Sequence, residues 1–413
     1  MKARTLTLFY DPAIHPHNQT IHKLSGFCKA ASEAFDGLGI ELQSVRLATS
    51  PLLGWADTTS EKELVILAQN LEALAAEHNF SYLSLGPILS RDVSHYHLVP
   101  PILAATRNVF MTVMLTGPQG GVDLAAVHAC AEVITRTALA TPDGFTNLRF
   151  SALANVPSGT PFLPAAYHHP GQPPAFAIGM ETADTIFEIF NSSTSLATAR
   201  ENLLLRLESQ AQRIQTTLLP LASQYGVSFL GFDFSTAPFP SNACSAGRSL
   251  ESLGVKSLGE HGSLAAAAFL ADTLDRGSWM RTGFNGLMLP ILEDSYLARR
   301  SSMGTLTIKD LLLFSAVCGT GLDTVPLPGG STPEQIAGLL LDVAALAQRL
   351  RKPLTARLMP IPGKASGESI HFDFEFFADG KVMEIPVSGL TGLLAGSESF
   401  DLQPRTNLIN SPL

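Results

Sequence analysis

Charged residues are scarce in this chain of 413 residues: Asp, Glu, Lys and Arg make up only 15% of it, against 46% apolar residues. The mean hydropathy is correspondingly positive, at +0.20. This balance predicts a large buried core, with enough apolar residues to cover both faces of a parallel sheet. Long basic runs are also missing, and the net charge is −9. We therefore expect no nucleic acid partner, because phosphate binding needs clustered Lys and Arg.

Long apolar runs and dense cysteine patterns are missing as well. No uninterrupted apolar stretch reaches about 18 residues, the length that suggests a membrane-spanning helix, so we expect no membrane partner. The apolar stretch near the N-terminus is short, and Asp11 interrupts it, which argues against a secretion signal. The four cysteines are scattered and form no CxxC pair. This usage is typical of a reducing compartment and predicts a cytoplasmic protein with free thiols.

What the chain does contain is two successive series of strands and helices. Residues 1–155 alternate β-rich runs with helical stretches and predict five strands. A Pro/Gly-rich connector at 156–174 separates them from a second alternating series at 175–390, and 391–413 form a C-terminal tail. Thr332 is predicted to cap a late helix, because a proline and a capping-box glutamine follow it. The pattern predicts an α/β fold of roughly ten strands, five in each half.

The stretch "SAVCGTGLDTVPLPGG" at 315–330 is interpreted as a ligand-binding loop that leaves a helix. Gly319 and Gly321 would let the backbone approach a ligand closely, while Asp323 and Thr324 would supply polar groups. Cys318 ends the apolar helix, where the negative end of the helix dipole disfavours a thiolate. The alternative to a ligand contact is that Cys318 packs in the core as a small buried hydrophobic residue.

Acidic residues follow several predicted strands of the second half. They are Glu181 in "IGMETAD", Asp233 in "LGFDFSTAP", and Glu293 and Asp294 in "LMLPILEDS". Because functional side chains of parallel α/β folds gather at the carboxyl ends of strands, we expect these acids to converge. Converging carboxylates can act as acid/base partners or bind a divalent metal ion. The alternative is structural: Asp294 caps the next helix, and Glu293 pairs with Arg299 or Arg300.

One histidine is predicted to join these acids. His168, in "PAAYHHPG", can carry a proton near neutral pH and is expected near the rim of the pocket. The predicted catalytic residues are thus Asp233, Glu293, Asp323 and His168. The predicted ligand contacts are Glu181, Asp294, Cys318, Gly319, Gly321 and Thr324. Mutual repulsion among the acids predicts that Asp233→Asn or Glu293→Gln leaves thermal stability unchanged or raised.

Four long motifs run in order along the chain: "GFTNLRFSALANVPSGTPFLPAAYH", "GFNGLMLPILED", "SAVCGTGLDTVPLPG" and "RLMPIPGKASGESIHFDFEFFADGKVM". Together they resemble the family called domain of unknown function 711. The resemblance implies a fold similar to pyruvate formate-lyase and ribonucleotide reductase, a ten-stranded α/β barrel of two parallel five-stranded halves that lie antiparallel. It implies no activity, because the family is functionally uncharacterised and a fold does not fix a function.

Radical enzymes of that fold carry a thiyl cysteine on a loop inside the barrel, and some add an Arg-Val-Ser-Gly-aromatic signature near the C-terminus. The nearest string in this chain is "IPVSGLTG", in which Pro386 and Leu390 replace the arginine and the aromatic residue. We therefore expect no glycyl radical at Gly389. Two classes of function remain open: a non-radical enzyme that acts on a small polar metabolite, and a catalytically silent barrel that binds or senses one. Either is compatible with a homo-oligomer.

Overall fold

The computed structural model describes residues 1–117, 120–386 and 388–404. The strands of these residues are β1 (Lys2–Tyr10), β2 (Val45–Thr49), β3 (Tyr82–Ile88), β4 (Val109–Met114), β5 (Val122–Asp123), β6 (Phe150–Ala154), β7 (Ala175–Glu181), β8 (Ser228–Ala237), β9 (Gly321–Pro328), β10 (Leu354–Ile361), β11 (Ser369–Ile370), β12 (Gly380–Lys381) and β13 (Ser399–Phe400). The helices are α1 (His17–Gly37), α2 (Glu61–Glu77), α3 (Val99–Ala105), α4 (Leu124–Ala138), α5 (Ala183–Ser192), α6 (Leu196–Tyr225), α7 (Ala246–Glu251), α8 (Ser263–Asp275), α9 (Ser295–Ser302), α10 (Ile308–Val317) and α11 (Pro333–Leu350).

One nine-stranded sheet organises the fold, in the order β8-β7-β1-β2-β3-β4-β6-β10-β9. The five strands from the first half, β1, β2, β3, β4 and β6, pair in parallel, as predicted. The second half adds a parallel pair at each side, β7 with β8 and β9 with β10. Both pairs run antiparallel to the first five strands, through β1–β7 and β6–β10. The mixed α/β sheet with opposed halves is therefore confirmed.

The sheet described here has two edges, β8 and β9, instead of a closed ten-stranded circuit. The segment "GLMLPILED", which the sequence predicts as a strand, forms none. Its Pro290 makes an isolated bridge to Asp323 of β9, and Arg281, just before it, makes another to Phe232 of β8. This segment thus contacts both edge strands without the continuous ladder that defines a strand.

The connector packs along one face of the sheet. Thr7 of β1 donates a hydrogen bond to the carbonyl of Pro161 (2.6 Å), and Ser84 of β3 donates one to the carbonyl of Ala166 (2.7 Å). The ring of Phe162 lies against Gly179 of β7, where a Cβ atom would come within 2.8 Å of it. These bonds satisfy backbone carbonyls that would otherwise be buried without partners.

Residues 321–328, predicted as part of a loop, form the edge strand β9. Prolines and glycines misled the interpretation, since they usually mark turns. An edge strand tolerates them, because one of its sides needs no ladder hydrogen bonds. The predicted helix signals on either side are correct: Thr332 and Gln335 form a capping box, and α10 ends at Val317, just before Cys318 and Gly319.

Gly321 allows the close pairing of β9 with β10. Its φ angle is +93°, and an added Cβ atom would overlap the carbonyl oxygen of Thr355 on β10. We expect Gly321→Ala to lower the free energy of unfolding by about 2–4 kcal/mol, since the alanine is strained and pushes β9 from β10. Urea denaturation measures this, with Gly330→Ala as the control, because nothing lies within 4 Å of a Cβ atom there. Equal stability of the two variants would contradict the expected clash.

Among the described helices, none combines the length and the apolar character needed to span a bilayer. The four cysteines are all free and buried, as predicted.

Candidate functional site

A cavity of about 400 Å³ opens where the first-half strands begin and where β7 and β8 end. Its wall takes residues from the starts of β1 to β4, from the residues before β6, and from β9 and β10. Phe162 and Leu163 of the connector and the 374–376 segment between β11 and β12 complete it. A cavity of this size accommodates a small molecule.

A chain of ion pairs crosses this cavity. Arg4 of β1 donates one hydrogen bond to Glu181 and one to Glu293, both of 3.0 Å. Arg357 of β10 donates to the other oxygen of Glu293 (2.7 Å) and, through Nε, to Asp323 (2.5 Å). All five side chains are buried. Alternating charges of this kind satisfy each other, and removing one member leaves its partners buried and unpaired.

Guanidinium groups outnumber carboxylates in the cavity wall. Its charged side chains are five arginines and three acids: Arg4, Arg46, Arg107, Arg149, Arg357, Glu293, Asp323 and Glu375. The wall therefore carries an excess of two positive charges, or of one when Glu181, which lies behind Arg4, is included. An anionic ligand would neutralise this excess, since buried cations are costly without a counter-charge.

The acid/base properties of the cavity centre on Asp323. Burial raises the pKa of Asp323, Arg357 opposes this effect, and Glu293 adds to it. Burial alone would lower the pKa of Arg357, but Asp323 and Glu293 raise it. A carboxyl group with a raised pKa inside a cavity is a better proton acceptor than an ordinary carboxylate and can return the proton later.

The structure brings together two of the four residues predicted to be catalytic, Glu293 and Asp323, through their shared partner Arg357. Glu293 pairs with Arg4 and Arg357, and not with Arg299 or Arg300 as the structural alternative proposed.

Asp233 lies away from the described cavity wall and holds a turn. Its Oδ1 accepts hydrogen bonds from the amides of Ser235 and Asn285, both of 2.9 Å, and from the Ser235 hydroxyl. Its Oδ2 accepts from the amide of Phe284 (2.8 Å). Burial raises the pKa of Asp233, although all these donors lower it. The carboxylate thus holds residues 284–285, which precede Glu293 in the chain, against β8.

His168 lies at the opposite end of the sheet from the cavity. Its backbone amide bonds the carbonyl of Thr49, the last residue of β2, and its Nε2 lies 3.1 Å from the carbonyl oxygen of Gln172. Burial lowers the pKa of His168. The ring stacks on Phe9, with 6.1 Å between centroids. These contacts place it outside the described lining of the cavity and remove it from the rim that the sequence predicts.

Two predicted ligand contacts occupy different positions. Glu181 approaches the cavity only through Arg4. Asp294 is the N-cap of α9: its Oδ1 accepts from the amides of Tyr296 (2.9 Å) and Leu297 (3.1 Å) and from the hydroxyl of Ser245 (2.6 Å). The capping alternative is therefore the correct description of Asp294.

The remaining predicted contacts, at 318–324, lie beside the cavity wall. Burial raises the pKa of the Cys318 thiol, which lies 3.8 Å from the carbonyl of Leu287. Gly319 packs near Gly286, and the hydroxyl of Thr324 accepts from the amide of Leu292 (3.3 Å). Of this segment, Asp323 is the residue that lines the cavity. The connector, which packs along one face of the sheet, contains no cysteine.

The described part of the chain contains no group of three or more His, Cys, Asp or Glu side chains that is placed to hold a metal ion. Gly389, at the position considered for a glycyl radical, packs beside Glu334 of α11.

Sequence reasoning missed the arginines of the cavity. Arg4, Arg46 and Arg357 lie inside β-strands, and Arg149 directly precedes one. The signal was present in the sequence, since an arginine within an apolar strand is a charge where burial is expected. A search restricted to acids and histidines overlooks it.

Residues 1–378 of this chain match the family described as Uncharacterised ACR (DUF711). A UPF0210 protein from Pyrobaculum islandicum is 30% identical over 391 residues, covering 89% of this chain and 86% of that protein. A UPF0210 protein from Methanopyrus kandleri is 29% identical over 377 residues, covering 87% and 82%. One from Actinobacillus pleuropneumoniae is 27% identical over 347 residues, covering 81% and 77%. The similarity extends along most of each chain.

Proposed function

Since the chain belongs to the DUF711 family of uncharacterised proteins, we propose its function from the cavity: an enzyme that acts on a small polar metabolite by acid/base chemistry. The observation that carries the proposal is the position of Asp323. It is a buried carboxyl group on the wall of an arginine-rich cavity, 2.5 Å from Arg357. Perturbed acids with a charge partner in a cleft concentrate at functional sites.

In the proposed reaction, the carboxylate of Asp323 takes a proton from a substrate carbon next to a carbonyl group. The electron pair of the broken C–H bond delocalises onto the carbonyl oxygen, where a guanidinium of the wall stabilises the negative charge. Return of the proton to the same or a neighbouring atom regenerates the carboxylate. Arg357 holds Asp323 in position through its Nε.

Exchange with solvent deuterium tests this proposal. The protein is incubated in D₂O with a mixture of hydroxy acids, keto acids, amino acids and sugars, and mass spectrometry identifies any compound that gains deuterium. We expect incorporation with the parent protein and its loss, by about 100-fold or more, in Asp323→Asn. Asp57→Asn, at an exposed position, is the matched control. Incorporation that survives in Asp323→Asn would refute the role of Asp323, and its absence from every compound would refute the enzyme.

The second candidate is a metabolite-binding protein without catalysis. Both oxygens of Glu293 bind guanidinium groups, an arrangement that supports a fixed binding site. Ligand binding without deuterium exchange would favour this candidate.

We also propose that the segment between Arg281 and Leu292 takes the tenth position of a barrel similar to that of pyruvate formate-lyase. Its bridges to Phe232 and Asp323, on the two edge strands, support this placement. A cytoplasmic location remains part of the proposal, supported by four free thiols in the sequence.

A further inference from the structure

Arg46, the second residue of β2, presents a half-buried guanidinium on the cavity wall. Its Nε donates to the hydroxyl of Ser44 (3.0 Å), which in turn donates to the carbonyl of Arg4 (2.8 Å). The ring of Tyr82 lies 5.6 Å from the guanidinium carbon. These contacts fix the side chain at one edge. Within residues 1–117, 120–386 and 388–404, its two terminal nitrogens have no hydrogen bond or ion pair.

Arg46 also forms no ion pair with a described carboxylate. Burial lowers its pKa to about 10; Arg4 and Arg357 act in the same direction, while Tyr82 and Glu293 oppose them. Those two arginines have carboxylate partners in Glu181, Glu293 and Asp323. Arg46 has none among the described residues, so the cavity holds a cation that an anion would stabilise.

A second arginine of the same wall has no ion-pair partner among the described residues, although the more distant Glu72 raises its pKa. Arg149 donates to the carbonyls of Leu103 (2.8 Å) and Val109 (3.2 Å), and no carboxylate of the described chain forms an ion pair with it. Burial lowers its pKa to about 10 as well. Carbonyl groups orient this guanidinium but leave its positive charge in place. The field inside the cavity therefore favours anions at more than one point.

Aromatic rings form much of the remaining wall. They belong to Tyr82, Phe110, Phe145, Phe162, Phe374 and Phe376. Rings at this density favour a flat apolar body, which they can contact by face or edge. A sugar or a fully polar chain would make few apolar contacts with these rings.

We propose that the substrate is a small carboxylic acid with an aromatic or otherwise flat apolar body, whose carboxylate binds the terminal nitrogens of Arg46. This inference rests on the proposed function, because it names the substrate class of the same cavity. A planar guanidinium with two free nitrogens matches the two oxygens of a carboxylate. Phosphate sites more often use helix N-termini and backbone amides, whereas this wall is built from side chains at strand starts.

Binding of simple aromatic acids tests the inference. The probes are benzoate, phenylacetate and 3-phenylpropionate, each paired with its neutral primary amide, together with acetate and inorganic phosphate. Calorimetry and saturation-transfer NMR measure their affinities for the full chain. We expect at least one aromatic acid to bind saturably, with its amide at least about tenfold weaker. Arg46→Met should weaken the acid by about tenfold or more, whereas Arg91→Met, at an exposed arginine, should leave it within about twofold.

Several results would overturn the inference: no binding by any of the three acids, an amide that binds as well as its acid, unchanged affinity in Arg46→Met, or binding by phosphate alone. Folding of Arg46→Met is checked by its unfolding temperature, which should stay equal or rise in the absence of ligand, since an uncompensated charge is removed. Asp323→Asn separates this inference from the proposed function. Acid binding that depends on Arg46, with no deuterium exchange, would support the aromatic acid as a ligand and refute the enzyme. Exchange confined to uncharged compounds would support the enzyme and refute the aromatic acid as its substrate.

Discussion

Replacing Arg357 with methionine is expected to lower the free energy of unfolding by about 3–5 kcal/mol, the usual cost of breaking a buried ion pair. The arginine is 7% exposed and bridges Glu293 and Asp323 at 2.7 and 2.5 Å. Without it, Asp323 has lost its cation, and Glu293 keeps only Arg4. The carboxyl group of Asp323 would then have to be protonated or reached by water. Chemical denaturation followed by circular dichroism and fluorescence measures the loss.

The matched control for this variant is Arg276→Met. Arg276 forms an ion pair with Asp272 on the surface of the molecule, where its side chain is 55% exposed. Exposed pairs contribute at most about 1 kcal/mol, so this variant should remain close to the parent. A loss below about 1 kcal/mol in Arg357→Met as well would show that the ion-pair chain does not stabilise the fold.

Removing the carboxylate of Asp233 should have an effect of similar size. Asp233→Ala leaves the amides of Ser235, Phe284 and Asn285 without their acceptor in a fully buried site. Each unsatisfied buried donor costs about 1–3 kcal/mol, so we expect a total loss of at least about 3 kcal/mol. This reverses the expectation from sequence, which assumed that Asp233 is repelled by other acids. Its described contacts are hydrogen-bond donors.

Asp233→Asn refines this test. The amide oxygen can replace Oδ1 and keep three donors, but its NH₂ group would face the amide of Phe284. We therefore expect a smaller loss than in the alanine variant, and Asp57→Ala, at an exposed position, should be nearly neutral. Asp233→Ala as stable as the parent would mean that water replaces the carboxylate in the turn. Thermal and urea unfolding distinguish these outcomes.

The secondary structure of the first half could be predicted because its signals are local. Apolar strands alternate with amphipathic helices between residues 1 and 155, and each element is long enough to show its period. The edge strand β9 was missed because its prolines and glycines, read locally, signal a turn. Only the neighbouring β10 shows that the segment is extended, since the pairing from Thr355 to Ile361 draws it into the sheet.

The candidate site shows the same division. Glu293 was found from sequence because it follows a predicted strand, and Asp323 because it lies in a glycine-rich stretch interpreted as a ligand-binding loop. Arg46 and Arg357 were not, because a position in the chain does not reveal which strands run in opposite directions. Because β6 and β10 pair antiparallel, β10 runs toward the edge of the sheet at which the strands of the first half begin. Residues far apart in sequence, such as Arg4 and Glu293, meet as a result.

The sequence by itself determined the α/β class, the two successive series of strands, the free cysteines and the capping of the helix at Thr332, because each depends on composition or on neighbours a few residues away. The tertiary structure alone decided which charges share a cavity. It separated His168 and Asp233 from Asp323, and it gathered arginines from β1, β2 and β10 around that acid. The physical reason is that burial and long-range pairing set the cost of each charge, and neither can be read from the order of residues alone.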